Sequence, residues 1–301
     1  MLCYDSLDDT RQLVSTLRAS TSRDVDIYVV DNDSPGLGVA ELSTALPDVT
    51  VLRAKENLGY AAGNNIGLSR IAAQGHEFVW ILNPDMEADA AALDRLLSAA
   101  EQFPHIDVFG PVIFRGTNRD RIATAGSFVS LQDGFATGHL LAGRTASDLP
   151  TAPYEVDCLT GAALFIRCSA LPRLGPIPEH YFLYFEETHW LIAGRRKGVR
   201  CMVLPDLHLV HHKASGAGGI PARHFLYYYV RNFLLFANWM GVQNPYPSLS
   251  RLRHGFVADA LNKVAERAPL ELPLYEYIAE QALQDGLAGR EGKVALPGLS
   301  L

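Results

Sequence analysis

The chain has 301 residues, 48% hydrophobic and 20% charged, proportions of an ordinary globular protein that exclude a disordered or fibrous one. Its formal net charge of −7 excludes a broad basic surface for nucleic acid. The cysteines (Cys3, Cys158, Cys168 and Cys201) are scattered without CxxC spacing, which argues against a disulfide framework, and no apolar run reaches the roughly 18 residues of a membrane span.

Met1-Leu-Cys-Tyr4 is an apolar opening too short for a buried strand, which takes about 5–6 residues, so the natural start is expected upstream of Met1. Helix signals follow at once, with Ser6 as a cap, Asp9 three residues on, and an apolar stripe of Leu13, Val14 and Leu17. Residues 25–30 form a predicted strand that ends in the turn formers Asp31-Asn-Asp-Ser-Pro-Gly36. A short helix over 37–45 and a strand over 49–52 come next. Residues 57–65, rich in glycine and asparagine, are predicted as a loop feeding a helix through Ile66, Leu68 and Ile71. The continuous apolar run 78–82 reads as a strand covered on both faces, and it stops at Asn83-Pro-Asp85. This alternation of strands and helices predicts an α/β chain with a mainly parallel sheet. Residues 113–154 are rich in Gly, Ser, Thr and Asp and read as loops. Strands are expected again at 162–166 and 201–204. A strongly aromatic helix is predicted from Arg223 to Met240, ended by Gly241, with one or two further helices beyond it.

In an open α/β sheet, ligands bind beyond the carboxyl ends of the strands. Asp31 and Asp85 both stand at such ends. Either one alone is ordinary turn chemistry, but together with an Asn/Gly segment between them they suggest a nucleotide pocket. Gly36-Leu-Gly38-Val-Ala-Glu41 imitates a dinucleotide fingerprint. Glu41 replaces its third glycine, however, and the run lies after the acidic strand end, so a Rossmann cofactor site is rejected. His208, His211 and His212 cluster late in the chain, at a spacing that makes no closed tetrahedral zinc site.

Six segments in register carry a resemblance. Val-Val-Asp31-Asn-Asp-Ser34, Asn57-Leu-Gly59-Tyr-Ala-Ala-Gly-Asn-Asn65-Ile-Gly67, Leu82-Asn-Pro-Asp85, Gly161-Ala-Ala-Leu-Phe-Ile-Arg167, Tyr184-Phe-Glu-Glu187 and Tyr227-Tyr-Tyr-Val-Arg231-Asn232 closely resemble the family 2 glycosyltransferases, especially their rhamnosyltransferase-like branch. The resemblance spans roughly residues 1–240. It implies a GT-A-type fold, a mixed, mainly parallel sheet flanked by helices. The donor half would cover about 1–110 and the acceptor half about 111–241, followed by a helical C-terminal extension over 242–301. The family's first strand usually ends in Thr-Tyr-Asn, which corresponds here to Cys3-Tyr4-Asp5.

The implied chemistry is inverting transfer of a sugar from a nucleotide-sugar donor to a hydroxyl acceptor: a glycan, a lipid-linked carrier or a small natural product. Asp31 would contact the base or ribose, with Asn57, Gly59 and Asn65 shaping that pocket. Asn83 and Asp85 would stand at the donor's diphosphate. Asp85 would hold Mg²⁺ or Mn²⁺, with His212 as the fitting histidine and His211 the fallback, since a hard cation suits a diphosphate leaving group. Only one carboxylate lies in Asn83-Pro-Asp85, so the metal is expected to bind weakly without donor phosphates. Glu187, where the family usually has aspartate, would be the general base. Lys213 and Arg231 are candidate phosphate contacts, and 215–219 a closing loop.

The chain departs from the family pattern just beyond the base, with His189, Trp190 and Ala193 where Asp, Leu and Arg are usual. Two other functions remain open. A sugar-nucleotide nucleotidyltransferase would normally carry a glycine- and arginine-rich phosphate loop near the first strand, and none is seen. A degenerate, non-catalytic sugar-nucleotide-binding protein is the third. A cytoplasmic place, peripheral to the inner face of the membrane as a variant of it, is expected, as is packing of the aromatic helix in the core rather than on lipid. The C-terminal helices are the candidate contact for a homo-oligomer.

Overall fold

The computed structural model describes residues 1–301 apart from 21–24, 37, 90, 117–119, 133–134, 213–218 and 300–301. In chain order the elements are β1 (Leu2–Cys3), α1 (Leu7–Ser20), β2 (Tyr28–Asp31), α2 (Val39–Ala45), β3 (Thr50–Arg53), α3 (Gly59–Ala72), β4 (Phe78–Leu82), β5 (Met86–Glu87), α4 (Ala92–Gln102) and β6 (Val108–Arg115). Then come β7 (Arg121–Thr124), β8 (Ser127–Ser130), β9 (Ala136–His139), β10 (Tyr154–Val156), β11 (Ala163–Arg167), α5 (Leu171–Leu174), α6 (Glu186–Arg195) and β12 (Cys201–His211). Helices α7 (Arg223–Trp239), α8 (Tyr246–Arg251), α9 (Ala258–Arg267) and α10 (Leu272–Leu287) complete the chain.

Two compact units result. The first comprises Met1–Phe128, Gly138–Pro178 and Glu187–Ala214, and the second Val129–Thr137, Glu179–Glu186 and Ser215–Leu301. This differs from a division into 1–110, 111–241 and 242–301. Segments far apart in sequence, β6, β11 and β12, hydrogen-bond into one sheet, and α7 packs on α10 instead of closing off a domain at Gly241.

In the first unit β1, β2 and β3 form a parallel three-stranded sheet. A larger sheet runs β10-β12-β6-β11-β4, with β5 on β12 and β7 on β6. The mainly parallel arrangement expected from the sequence holds only for the small sheet. In the larger one β6 and β12 are parallel, whereas the other described ladders are antiparallel. A parallel pair needs a crossover, usually a helix, and β6 turns straight into β7 across a short connection. Stretches in 113–154 read as loops are thus partly strand (β7 to β10), because Gly, Ser and Thr sit in short, part-buried strands as well as in turns. Helix α4 buries Ala92, Leu96, Ala99 and Ala100, a stripe at helical spacing, in a core shared with Leu82, Phe109, Ile113, Phe165 and Leu209.

The glycine-rich segment is the largest local departure from expectation, since α3 begins at Gly59 and the predicted loop is mostly helix. Gly63 serves packing: a Cβ there would lie 2.4 Å from Leu2 Cδ1, so the bare backbone lets α3 lie this close to β1 without moving that side chain, while Gly59 takes a positive φ at the helix start.

In the second unit the aromatic helix α7 is core, as expected, with Tyr227, Tyr228, Phe233 and Phe236 buried. Arg231 proves fully buried and is no phosphate contact. Its guanidinium donates to the carbonyls of Tyr181 and Gly292 (both 2.6 Å) and stacks on Tyr228, 4.8 Å from the ring centre. Beside it, Asn232 Nδ2 donates to the carbonyls of Tyr181 (3.1 Å), Leu183 (2.6 Å) and Tyr184 (2.9 Å). These bonds brace a run in which Phe182, Tyr184 and Phe185 all have positive φ, a conformation costly for side chains of this size. Asn232→Leu would leave the Leu183 and Tyr184 carbonyls without this donor, the Tyr181 carbonyl keeping Arg231, and is expected to lower stability by about 3 kcal/mol in urea denaturation.

Candidate active site

The carboxyl end of β2 is organised by register. Asp31 pairs with Arg53 across the parallel ladder, so their side chains leave the sheet together. Asp31 is fully buried, and a buried carboxylate needs partners. Its Oδ2 pairs with Arg53 Nη1, while its Oδ1 accepts the Ser34 N–H at 3.0 Å. Arg53 Nη2 reaches Asp33 Oδ1 at 2.7 Å. Ser34 Oγ in turn accepts the Asp5 N–H at 2.9 Å, which ties the end of the first strand to this turn.

Asn32, a residue not singled out from the sequence, is the hub of the next turn. Its Nδ2 donates to Asn57 Oδ1 (3.0 Å) and the Gly59 carbonyl (3.2 Å), and its Oδ1 accepts the Leu58 N–H (3.1 Å). Asn57 Oδ1 also accepts the Gly59 N–H at 3.0 Å. Asn57 and Gly59 therefore lie against the Asp31 turn, as a shared pocket requires. Asn65 does not join them. Both ends of its amide clamp the Ile177 backbone at 2.9 Å, so it acts as a buried strut for the 177 segment.

Beyond β4 the chain turns at Asn83-Pro-Asp85, with the Asn83 N–H on the Ala162 carbonyl at 2.9 Å. Strand β5 then pairs antiparallel with the end of β12, Met86 opposite His211. This register brings His211 Nε2 within 3.0 Å of Asp85 Oδ2. His212, the histidine favoured from the sequence, gives its backbone N–H to the Asp85 carbonyl (3.2 Å), while its ring goes to Glu87 Oε2 at 3.1 Å. His208 is elsewhere, bonded to the Pro205 carbonyl at 2.8 Å and edge-on to Phe114. Among the described residues no three His, Cys, Asp or Glu side chains group for a metal, so Asp85 and His211 offer one oxygen and one nitrogen. Lys213 and residues 215–218 lie outside the described residues.

Glu187 is the second residue of α6, where a carboxylate also suits the helix dipole. Burial pushes its carboxyl above the usual carboxylate range, against the pull of the backbone N–H groups of Gly161, Glu187 and Thr188. Gly161 is itself gripped from the other side, its carbonyl accepting the Tyr60 hydroxyl at 2.6 Å. The unusual residues after Glu187 are packing positions. Trp190 is buried with Nε1 on the Gly175 carbonyl (2.8 Å), His189 is buried, and Arg195 pairs with Asp157. A cavity of about 430 Å³ lined by Met1, Tyr28, Phe78, Trp80, Leu97 and Phe165 is lined mostly by apolar side chains. It contains none of these groups and reaches the amino ends of β2 and β4, the wrong end for a ligand site in such a sheet.

Sequence reasoning missed Arg53 and Asn32 and ranked His211 second.

The family model of Glycosyl transferase family 2 matches residues 1–175. The chain is 25% identical over 246 residues to the N-acetylglucosaminyl-diphospho-decaprenol L-rhamnosyltransferase of Mycobacterium tuberculosis, covering 75% of this chain and 79% of that one. It is 27% identical over 211 residues to the low-salt glycan biosynthesis hexosyltransferase Agl10 of Haloferax volcanii, covering 68% and 64%. Among solved structures, S. aureus TarS (residues 1–349) in complex with UDP-GlcNAc aligns over 96% of this chain and 80% of that chain, with a TM-score of 0.53 and 16% identity. GalNAc-T7 with UDP, GalNAc and Mn²⁺ aligns over 85% of this chain and 55% of that one, with a TM-score of 0.53 and 13% identity. These likenesses show the fold, α/β and GT-A with a C-terminal helical region. A matched family model over more than half of the residues shows the family, so this chain belongs to glycosyl transferase family 2 and is a glycosyltransferase.

Proposed function

We propose that the protein transfers a sugar from a nucleotide-sugar donor to a hydroxyl acceptor in one inverting displacement, with Glu187 as general base. The observation that carries this reading is the segment 160–162. The Asn83 N–H, two residues before Asp85, bonds the Ala162 carbonyl, and Gly161 packs against Glu187, where an added Cβ would lie 3.4 Å from Glu187 Cβ, so the proposed diphosphate end and the proposed proton acceptor adjoin one short stretch of backbone.

The roles follow from residue chemistry. Asp31, braced by Arg53, binds the donor's base or ribose beside Asn57 and Gly59. The Asn83–Asp85 turn meets the diphosphate, where Asp85 and His211 would hold Mg²⁺ or Mn²⁺. Two protein ligands leave most of a hard cation's shell to phosphate oxygens and water, which makes loading depend on the donor. When bound, the cation supplies positive charge to the leaving diphosphate. Glu187 takes the proton of the acceptor hydroxyl as that oxygen bonds the anomeric carbon and the bond to the diphosphate oxygen breaks. A carboxyl held above its usual range is better matched to this task near neutral pH. The decaprenol-linked compound in the mycobacterial relative's name makes lipid-linked acceptors the first class to try, and these would place the protein at a membrane surface. Among the described residues no helix is long and apolar enough to cross a membrane.

Turnover of UDP-, dTDP- and GDP-sugars, with and without Mn²⁺, tests the reading. The expected result is release of nucleoside diphosphate with one donor class, lost on chelation. Pyrophosphate exchange would instead favour the nucleotidyltransferase, and binding without turnover the degenerate protein.

A further inference from the structure

Gly161 sits where two side chains from different elements close on one residue. A Cβ there would lie 2.6 Å from Tyr60 Oη, 2.9 Å from Tyr60 Cζ and 3.4 Å from Glu187 Cβ. No side chain fits between Tyr60 and Glu187, and a bare glycine separates them. That fit has a cost in order, because glycine's two dihedrals are the least restricted in the chain. The geometry supplies the restraint. The Tyr60 hydroxyl donates to the Gly161 carbonyl at 2.6 Å and holds the peptide plane after Gly161. The Asn83 N–H holds the next carbonyl, that of Ala162, at 2.9 Å. Gly161 thereby packs against Glu187, and its N–H pulls against the burial that raises that carboxyl's pKa.

Tyr60 is itself well anchored. It is the second residue of α3, whose first turn is fastened through Asn57 and Gly59 to Asn32.

We propose that Tyr60 is a positioning residue for the base: its hydroxyl locks the Gly161 backbone, and the locked Gly161 N–H aims and holds the Glu187 carboxylate. This rests on the reading of Glu187 as general base. Tyr60 touches neither proton nor sugar. It acts through the glycine, and its position at the start of α3 ties the aim of the base to the turn proposed to hold the nucleotide.

Tyr60→Phe keeps the ring and removes the one bond at issue. The expected result is a fall in kcat of about tenfold, since small misplacements at a reacting centre are costly, with KM for donor and acceptor within about twofold of the parent. The acid limb of the kcat profile should move to higher pH, because a loosened Gly161 N–H opposes protonation of Glu187 less. The other titratable groups in play are Tyr60 itself, which this variant removes, and the Cys158 thiol, which burial, then Cys201 and the Glu187 charge push up. In a Glu187→Gln background Tyr60→Phe should cost nothing further, as a residue acting through the base cannot act without it. An unchanged kcat and acid limb in Tyr60→Phe, or an equal loss in both backgrounds, overturns the proposal. Full transfer by Glu187→Gln alone would instead remove the base reading on which it stands, so the two failures are told apart.

Discussion

Glu187→Gln is expected to lower kcat by about 10³-fold while leaving donor affinity near the parent value, the range that a positioned general base contributes. The amide is nearly the same size as the carboxylate, so packing at the start of α6 and the bonds around Gly161 are kept. What is lost is the lone pair proposed to take the acceptor's proton. Glu187→Asp retains a base one methylene shorter, the family's usual residue, and should keep more activity than the glutamine variant. The pH dependence has a definite sign. Glu187 must be ionised to act, and burial raises its pKa, so kcat falls as pH drops through a value above the usual carboxylate range. Single-turnover rates across pH on the parent and both variants check this. Undiminished transfer by Glu187→Gln would remove the residue from the role.

The second large effect separates two neighbouring histidines. Asp85→Ala should lower turnover by about 10²–10³-fold, as loss of charge stabilisation at a leaving group does. His211→Ala should cost at least about tenfold and be partly restored by excess Mn²⁺, because a lost ligand weakens cation binding and can be offset by mass action. His212→Ala should stay within about twofold, since its ring is on the half-exposed Glu87 and such surface pairs contribute little. Titrating each variant with Mn²⁺ at saturating donor reads all three. A larger loss in His212→Ala than in His211→Ala would reverse the assignment.

Asp31 and Asp85 are singled out by the sequence because each sits at a local boundary, a carboxylate just beyond an apolar run, whereas Glu187 stands out only through its match to the family's motif. These are short-range signals. The aromatic helix 223–240 was equally plain from its pattern, but the role of Arg231 was not. A charge on an apolar helix looks alike whether it faces solvent or a cage of carbonyls and tyrosine rings.

What local pattern could not reach was settled by chains meeting. Glycines at 59, 63 and 67 favour a loop on their own propensity, yet α3 runs through them, with Gly63 lying against Leu2 and Gly67 against Val30. Arg53 is an unremarkable strand-end cation until the parallel register sets it beside Asp31. The motif favours His212 over His211, and the antiparallel register of β5 on β12 gives Asp85 to His211 and Glu87 to His212. Composition and periodicity determine which residues are polar at the ends of elements. Which of those ends face each other depends on strand pairing and close packing, interactions between residues far apart in the chain, and so belongs to the tertiary structure alone.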